Sequence, residues 1–186
     1  MRADAVRNRR RILDAARTAF EQSGVAASLD DVARAAGVGA GTLYRHFPTR
    51  DHLVLAVIDE GLRGLATLGA ELHDGGDPVD ALAQWLTAYV AQAGMFEGLA
   101  GTLVTPPEAD NAGKEACHAA SAAGAALVAR AVAEGDFRAD IDLDDVLDMA
   151  AAIAWLGEQP ERDAQQQGRL LRILIDGLRV GATQIT

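Results

Sequence analysis

Residues 37–47 read GVGAGTLYRHF, and within them Thr42, Tyr44 and Arg45 set a hydroxyl, a phenol and a guanidinium inside four positions. At about 100° per helical residue, taking Leu43 as the buried direction puts Gly41 and Arg45 on the opposite side, flanked by Thr42 and Tyr44. Ala40 and His46 fall nearer the core edge. Such a ridge suits hydrogen bonds to phosphate oxygens and one direct base contact. An arginine pairs bidentately with guanine, which is worth about 1–3 kcal/mol of discrimination. Gly41 carries no side chain and lets the unpaired N–H groups of a helix start come close to a polyanion. The basic run RNRRR (7–11) places Arg7, Arg10 and Arg11 in the first helix, and Arg50 opens the fourth. These four bracket phosphates rather than read sequence.

Other chemistries are poorly supplied. Cys117 and His118 form the one thiol–imidazole pair, but adjacent helical residues diverge by about 100° and cannot act as nucleophile and base. There is no nucleotide-binding loop, no HExxH and no paired cysteines for zinc. The four histidines are scattered. Asp140, Asp142, Asp144, Asp145 and Asp148 resemble a cation site only in composition, since capping and a solvated face explain them more simply. No enzyme, cofactor or metal is expected.

The elements that must hold the ridge read as helices throughout. Ile12, Ala16 and Phe20 make one stripe of a first helix over 5–23, stopped by Gly24. Ser28-Leu29-Asp30-Asp31 opens a short second helix as a capping box with Asp in place of Glu. A glycine turn leads to a third helix over 40–46, which stops before Pro48. Leu43 and Phe47 face inward with Val38, Val32 and Ala36. Two short helices on a tight glycine turn make a helix-turn-helix, whose second helix enters the major groove.

Charge divides the chain in the same way. Residues 1–52 hold nine arginines against six acids, net +3, while residues 53–186 hold eight cations against 21 acids, net −13. An asymmetry of this kind fits a cationic head that meets a polyanion and an acidic body with another task. A helix-turn-helix domain over 1–50 and a helical body over 51–186 follow, all-α, with about nine helices.

In the body, Thr49 caps a long fourth helix carrying Leu53, Val57, Leu62, Leu65 and Leu72, closed by Asp74-Gly75-Gly76. Asp77-Pro78 starts the next, Thr105-Pro106-Pro107-Glu108 repeats that logic, and Asp142 to Asp145 caps again, with Ile141 stapling onto Val146. A final helix covers 163–182. Nearly half of the residues are apolar but only 4% are aromatic, a composition of closely packed alanine- and leucine-rich helices. A single cysteine excludes an internal disulfide framework and fits a reducing compartment. The basic start lacks the apolar stretch of a signal peptide, and no unbroken run of about 18 apolar residues occurs. A soluble, cytoplasmic protein with no membrane partner is expected.

SLDDVARAAGVGAGTLYRHFPTRDHL (28–53) resembles the DNA-binding signature of the TetR family of transcriptional regulators. The resemblance rests on the Gly37-Val38 turn, on Thr42-Leu43-Tyr44, and on the Phe47-Pro48 break before a basic residue. It implies double-stranded operator DNA as partner, a homodimer, a ligand-binding body, and repression relieved by a small-molecule effector. It implies DNA contacts, mostly to phosphate, for Thr42, Tyr44, His46 and Arg50, and Ser28 completes the candidate set. Family members often carry a long polar or basic residue where this chain has Ala40. Base reading here therefore leans on Arg45, Thr42 and Tyr44, or on apolar contact from Ala40 to a thymine methyl.

The last two helices are candidates for a dimer seam, because they are apolar on more than one face. Leu143, Val146, Leu147 and Ala150 lie on one of them. Leu170, Leu174 and Leu178 form one line of the other, and Leu171 and Ile175 a second. The alternative is that both helices belong to the core of a single chain. A ligand pocket would draw on the few large or polarizable side chains: Trp85 and Tyr89, Met95 and Phe96, Cys117, His118 and Ser121, Met149 and Ile153. Ordinary core packing explains the same residues, and a ligand-independent DNA-binding dimer with a filled core is the rival reading.

Overall fold

Ile12, Ala16 and Phe20 recur every four residues on α1 (Arg2–Ser23), and all three are buried. The computed structural model describes residues 2–94, 111–157, 159 and 164–181. Helix α1 ends where Gly24 turns left-handed, with φ +64°. It starts three residues before the expected Ala5, with Arg7 paired to Asp4 one turn back. Then come α2 (Leu29–Ala35), α3 (Ala40–His46) and the 24-residue α4 (Arg50–His73). The Thr49 hydroxyl caps α4 as expected, accepting from the His52 backbone N–H at 3.3 Å. Contacts cluster the described residues into two units, one ending at Glu60 and one beginning at Gly61.

The core of the first unit is Ile12, Leu13, Phe20, Val32, Leu43, Phe47, Leu53 and Val57. The second contains α5 (Pro78–Ala93), α6 (Asn111–Ala133), α7 (Leu143–Gly157) and α8 (Ala164–Leu178). Asp77 caps α5 by accepting from the N–H groups of Val79 and Asp80 at 2.9 and 3.0 Å. Asp142 accepts from Asp144 N–H at 2.9 Å at the start of α7. Helix α5 packs against α6, α7 and α8. At its centre Trp85 is fully buried, and its Nε1 donates to Leu65 O at 2.9 Å. Side chains at Gly69 and Gly124 would collide with its surroundings: a Cβ on Gly124 would stand 2.6 Å from the indole.

Arg130 of α6 fastens the end of α4. Its Nη1 donates to Leu72, His73 and Gly75 carbonyls at 3.3, 3.0 and 3.1 Å, its Nη2 to Gly76 O at 2.6 Å, and its Nε pairs with Glu134. By length and composition Glu115–Ala133 is apolar enough to cross a membrane, although polar residues such as His118 and Arg130 interrupt it. Its hydropathy comes mostly from alanine, and Ala116, Ala120, Leu127 and Ala131 are buried.

Eight helices lie among the described residues; the start expected at Thr105–Glu108 falls outside them. The last helix is shorter than expected. It stops at Leu178 because the chain then pairs with 136–138: Val180 N–H donates to Asp136 O and Arg138 N–H to Leu178 O, both at 3.0 Å. Gly181 follows with φ +94°.

Candidate nucleic-acid interface

Ser28 is extended, and its Oγ accepts from Asp31 N–H at 3.4 Å, the first arm of the expected capping box. The reciprocal arm does not follow, because the Asp31 carboxylate, one methylene shorter than glutamate, pairs with Arg34 instead. Helix α2 closes through Gly37, at φ +62°, with Val38 N–H donating to Ala33 O at 2.9 Å. Gly39 caps α3 without a side-chain bond.

From there the ridge faces as its periodicity requires. Leu43 is 0% and Phe47 3% exposed, packed in the core that holds Val32 and Ala36. Gly41, Tyr44 and Arg45 are exposed, while Thr42 and His46 are half-buried. Ala40 was expected near the core edge and is exposed instead, since it opens the helix with no preceding turn to cover it. A Cβ at Gly41 would meet nothing within 4 Å, so nothing in the fold of the head requires glycine there. Arg45 lies along the helix: its Nε donates to Gly41 O at 3.0 Å and its Nη2 to Thr42 Oγ1 at 3.1 Å.

The surrounding arginines divide by what they already hold. Arg7 pairs with Asp4 on the exposed side of α1, and Arg10 is exposed. Arg11 leans over the turn, its Nη2 donating to Gly37 O at 3.5 Å. Arg9, which the sequence did not single out, sits over the Phe47 ring at 5.5 Å. Nothing in the spacing of the two residues announces that contact. Arg50, expected beside phosphates, sends its Nη1 to the carbonyls of Val25 and Ala27 at 2.5 and 2.6 Å. One of its terminal nitrogens thus braces the loop before α2.

The expected pocket residues do not all converge. Tyr89 stacks on Trp85 with ring centroids 5.8 Å apart. Burial, then Cys117 and Asp148, push its phenol up to about 12. Ile153 is buried, and Cys117 and Ser121 are half-buried. His118 and Met149 instead point to solvent, Met149 being 54% exposed. Met95 and Phe96 lie outside the described residues. The acidic cluster is spread over separate tasks: Asp140 is held by Arg138, which together with a backbone bond keeps its carboxyl below the usual range, and Asp142 caps α7. A groove of about 610 Å³ runs between Val128, Ala129 and Val132 of α6 and Ile141 to Leu143, and shares no residue with the expected pocket.

The seam residues divide too. Val146, Ala150, Leu171, Leu174 and Ile175 are buried within the single chain, because α8 packs on both α7 and α5 and turns its apolar lines toward them. Leu143, Leu147, Leu170 and Leu178 are half-buried. The large apolar side chains left exposed on these two helices are Met149, Trp155 and Ile173.

Two family models match the chain: bacterial regulatory proteins of the tetR family over residues 12–57, and the C-terminal domain of SbtR-like transcriptional regulators over residues 77–180. Curated relatives include HTH-type transcriptional regulators of Staphylococcus aureus, one 39% and another 43% identical over 75 residues. That match spans 40% of this chain and 40% of each relative. Among solved structures, a TetR transcriptional regulator of Streptomyces coelicolor is 34% identical, with TM-score 0.76, covering 94% of this chain and 99% of that one. A TetR transcription regulatory protein of Mycobacterium vanbaalenii is also 34% identical, with TM-score 0.71, covering 96% and 99%.

Proposed function

On the premise that this chain belongs to the TetR family of transcriptional regulators, we propose that it is a homodimeric repressor that binds a near-palindromic DNA operator and is released by a small molecule. The observation that carries the reading is the division of α3. Leu43 and Phe47 are sealed in the core while Gly41, Tyr44 and Arg45 stand exposed on a cationic tip. Arg45 reads a base. Tyr44, Thr42 and His46 hold phosphates, and Arg7 and Arg10 add charge from α1. Two heads related by a two-fold axis dock in successive major grooves, about 34 Å apart.

The dimer forms through α7 and α8, whose exposed Met149, Trp155 and Ile173 and half-buried Leu147 and Leu170 supply apolar surface for a second copy. An effector acts by preferring the head spacing that misfits the operator, since a ligand shifts an equilibrium only by its differential affinity. The ligand-independent alternative draws on one observation: Trp85 fills the space between Gly69 and Gly124.

Selection of bound duplexes from random DNA, repeated at several salt concentrations, tests the reading. A near-palindromic consensus bound with a steep salt dependence is expected, and binding without sequence preference would overturn it. A thermal-shift screen of metabolites separates the two versions, since an effector at 100 times its dissociation constant adds about 2.7 kcal/mol.

A further inference from the structure

Arg45 is held at two points of one rigid plane, by the carbonyl of Gly41 and the hydroxyl of Thr42. A guanidinium carries five N–H groups: one on Nε and two on each terminal nitrogen. The two bonds engage the Nε–Nη2 edge. Both hydrogens of Nη1 and the second hydrogen of Nη2 remain, and one from each of these two nitrogens forms the end-on fork that matches the paired acceptors of guanine in the major groove. A single bond would leave the group free to swivel. Two bonds from a planar group fix the direction in which the fork points.

From this geometry we infer that Thr42 is a positioning residue for Arg45, setting base preference through that side chain rather than by touching a base itself. The inference rests on the reading of α3 as the DNA-recognition helix. Thr42 is suited to the task by its place in the helix. It stands three residues before Arg45, on the same flank, and its residue is half-buried. Its hydroxyl oxygen accepts the arginine while its hydrogen remains able to donate elsewhere. A threonine that only held a phosphate would affect all duplexes alike, whereas one that aims a guanidinium affects one base pair.

The test uses the full-length protein and the duplexes it selects. Arg45→Ala first identifies the base pair whose preference is lost, by about fivefold or more in the ratio of affinities for guanine over other bases. At that base pair, Thr42→Val and Thr42→Ala are expected to lower the same ratio about threefold or more, Thr42→Ser to preserve it, and Thr42→Val combined with Arg45→Ala to lower it no further than Arg45→Ala alone. Circular dichroism of each variant confirms that the head is folded, and the two hydroxyl-less variants guard against failure of one. If Thr42→Val weakens every duplex equally and leaves the ratio intact, Thr42 acts on the backbone by itself and the inference is wrong. Additive losses in the combined variant, or an unchanged ratio at every base pair in Arg45→Ala, would overturn it as well. A wild-type protein that selects no preferred sequence would instead remove the DNA-reading assignment on which it stands.

Discussion

Arg11 occupies the space that a side chain at Gly37 would need: its Nη2 lies 2.3 Å from where a Cβ would stand. Gly37 is also left-handed, at φ +62°. Gly37→Ala is therefore expected to destabilise the head by about 1–2 kcal/mol through the backbone alone. Arg11 is a flexible tip and can swing aside, so Arg11→Ala should restore little of that loss. Denaturant midpoints of the two single variants and their combination measure this.

Gly41 makes the opposite prediction. A Cβ there meets nothing, so Gly41→Ala should leave the fold intact or raise its stability by about 0.5–1 kcal/mol. Operator affinity, measured by fluorescence anisotropy, should fall nonetheless, because the methyl group stands between α3 and the duplex.

Arg50 holds two backbone oxygens with one nitrogen. Arg50→Ala should cost about 1.5–3 kcal/mol of head stability, the scale of hydrogen bonds to a charged group. With the rest of its guanidinium proposed to meet a phosphate, binding to all duplexes should also weaken similarly, with a flatter salt slope. Arg50→Lys restores the charge without the planar fork, and should recover the salt slope more fully than the denaturation midpoint.

The Trp85 site is close-packed. Gly124→Ala should overpack it and cost about 1–3 kcal/mol. Trp85→Phe gives up the bond to Leu65 O but opens room beside α6, so the two substitutions together should cost less than the sum of their separate effects. A double-mutant cycle by chemical denaturation reads the difference.

Tyr89 gives a prediction at alkaline pH. Its phenol is pushed up to about 12 from 10.0, so above pH 10 the unfolded chain releases a proton that the folded chain keeps. The corresponding stability is fully present below pH 10 and lost as pH rises through 12, amounting to no more than about 2–3 kcal/mol. Tyr89→Phe should flatten the stability curve between pH 10 and 12 relative to wild type.

How much of this was legible depended on whether a contact is local. The face of α3 was readable because Leu43 and Phe47 sit one turn apart and the turn before them needs a left-handed glycine. The caps at Thr49, Asp77 and Asp142 are local in the same sense. The two apolar lines of α8 showed that both of its faces are covered, but not by what; α5 and α7 cover them within one chain. Met149 carried no positional signal separating pocket from surface. The stacking of Arg9 on Phe47 and the reach of Arg11 to Gly37 link residues far apart in the chain, and neither leaves a pattern in composition or spacing.

The arginines at 50 and 130 share a property that reaches beyond the fold. Between them they grip six main-chain oxygens, at residues 25, 27, 72, 73, 75 and 76. A peptide oxygen is the same whatever side chain it belongs to, and it does not titrate. Drift at the four non-glycine positions leaves these ties in place, and so does acidification that would neutralise a carboxylate partner. Apart from Gly76, which turns left-handed at φ +71°, their vulnerability is concentrated in the two arginine codons.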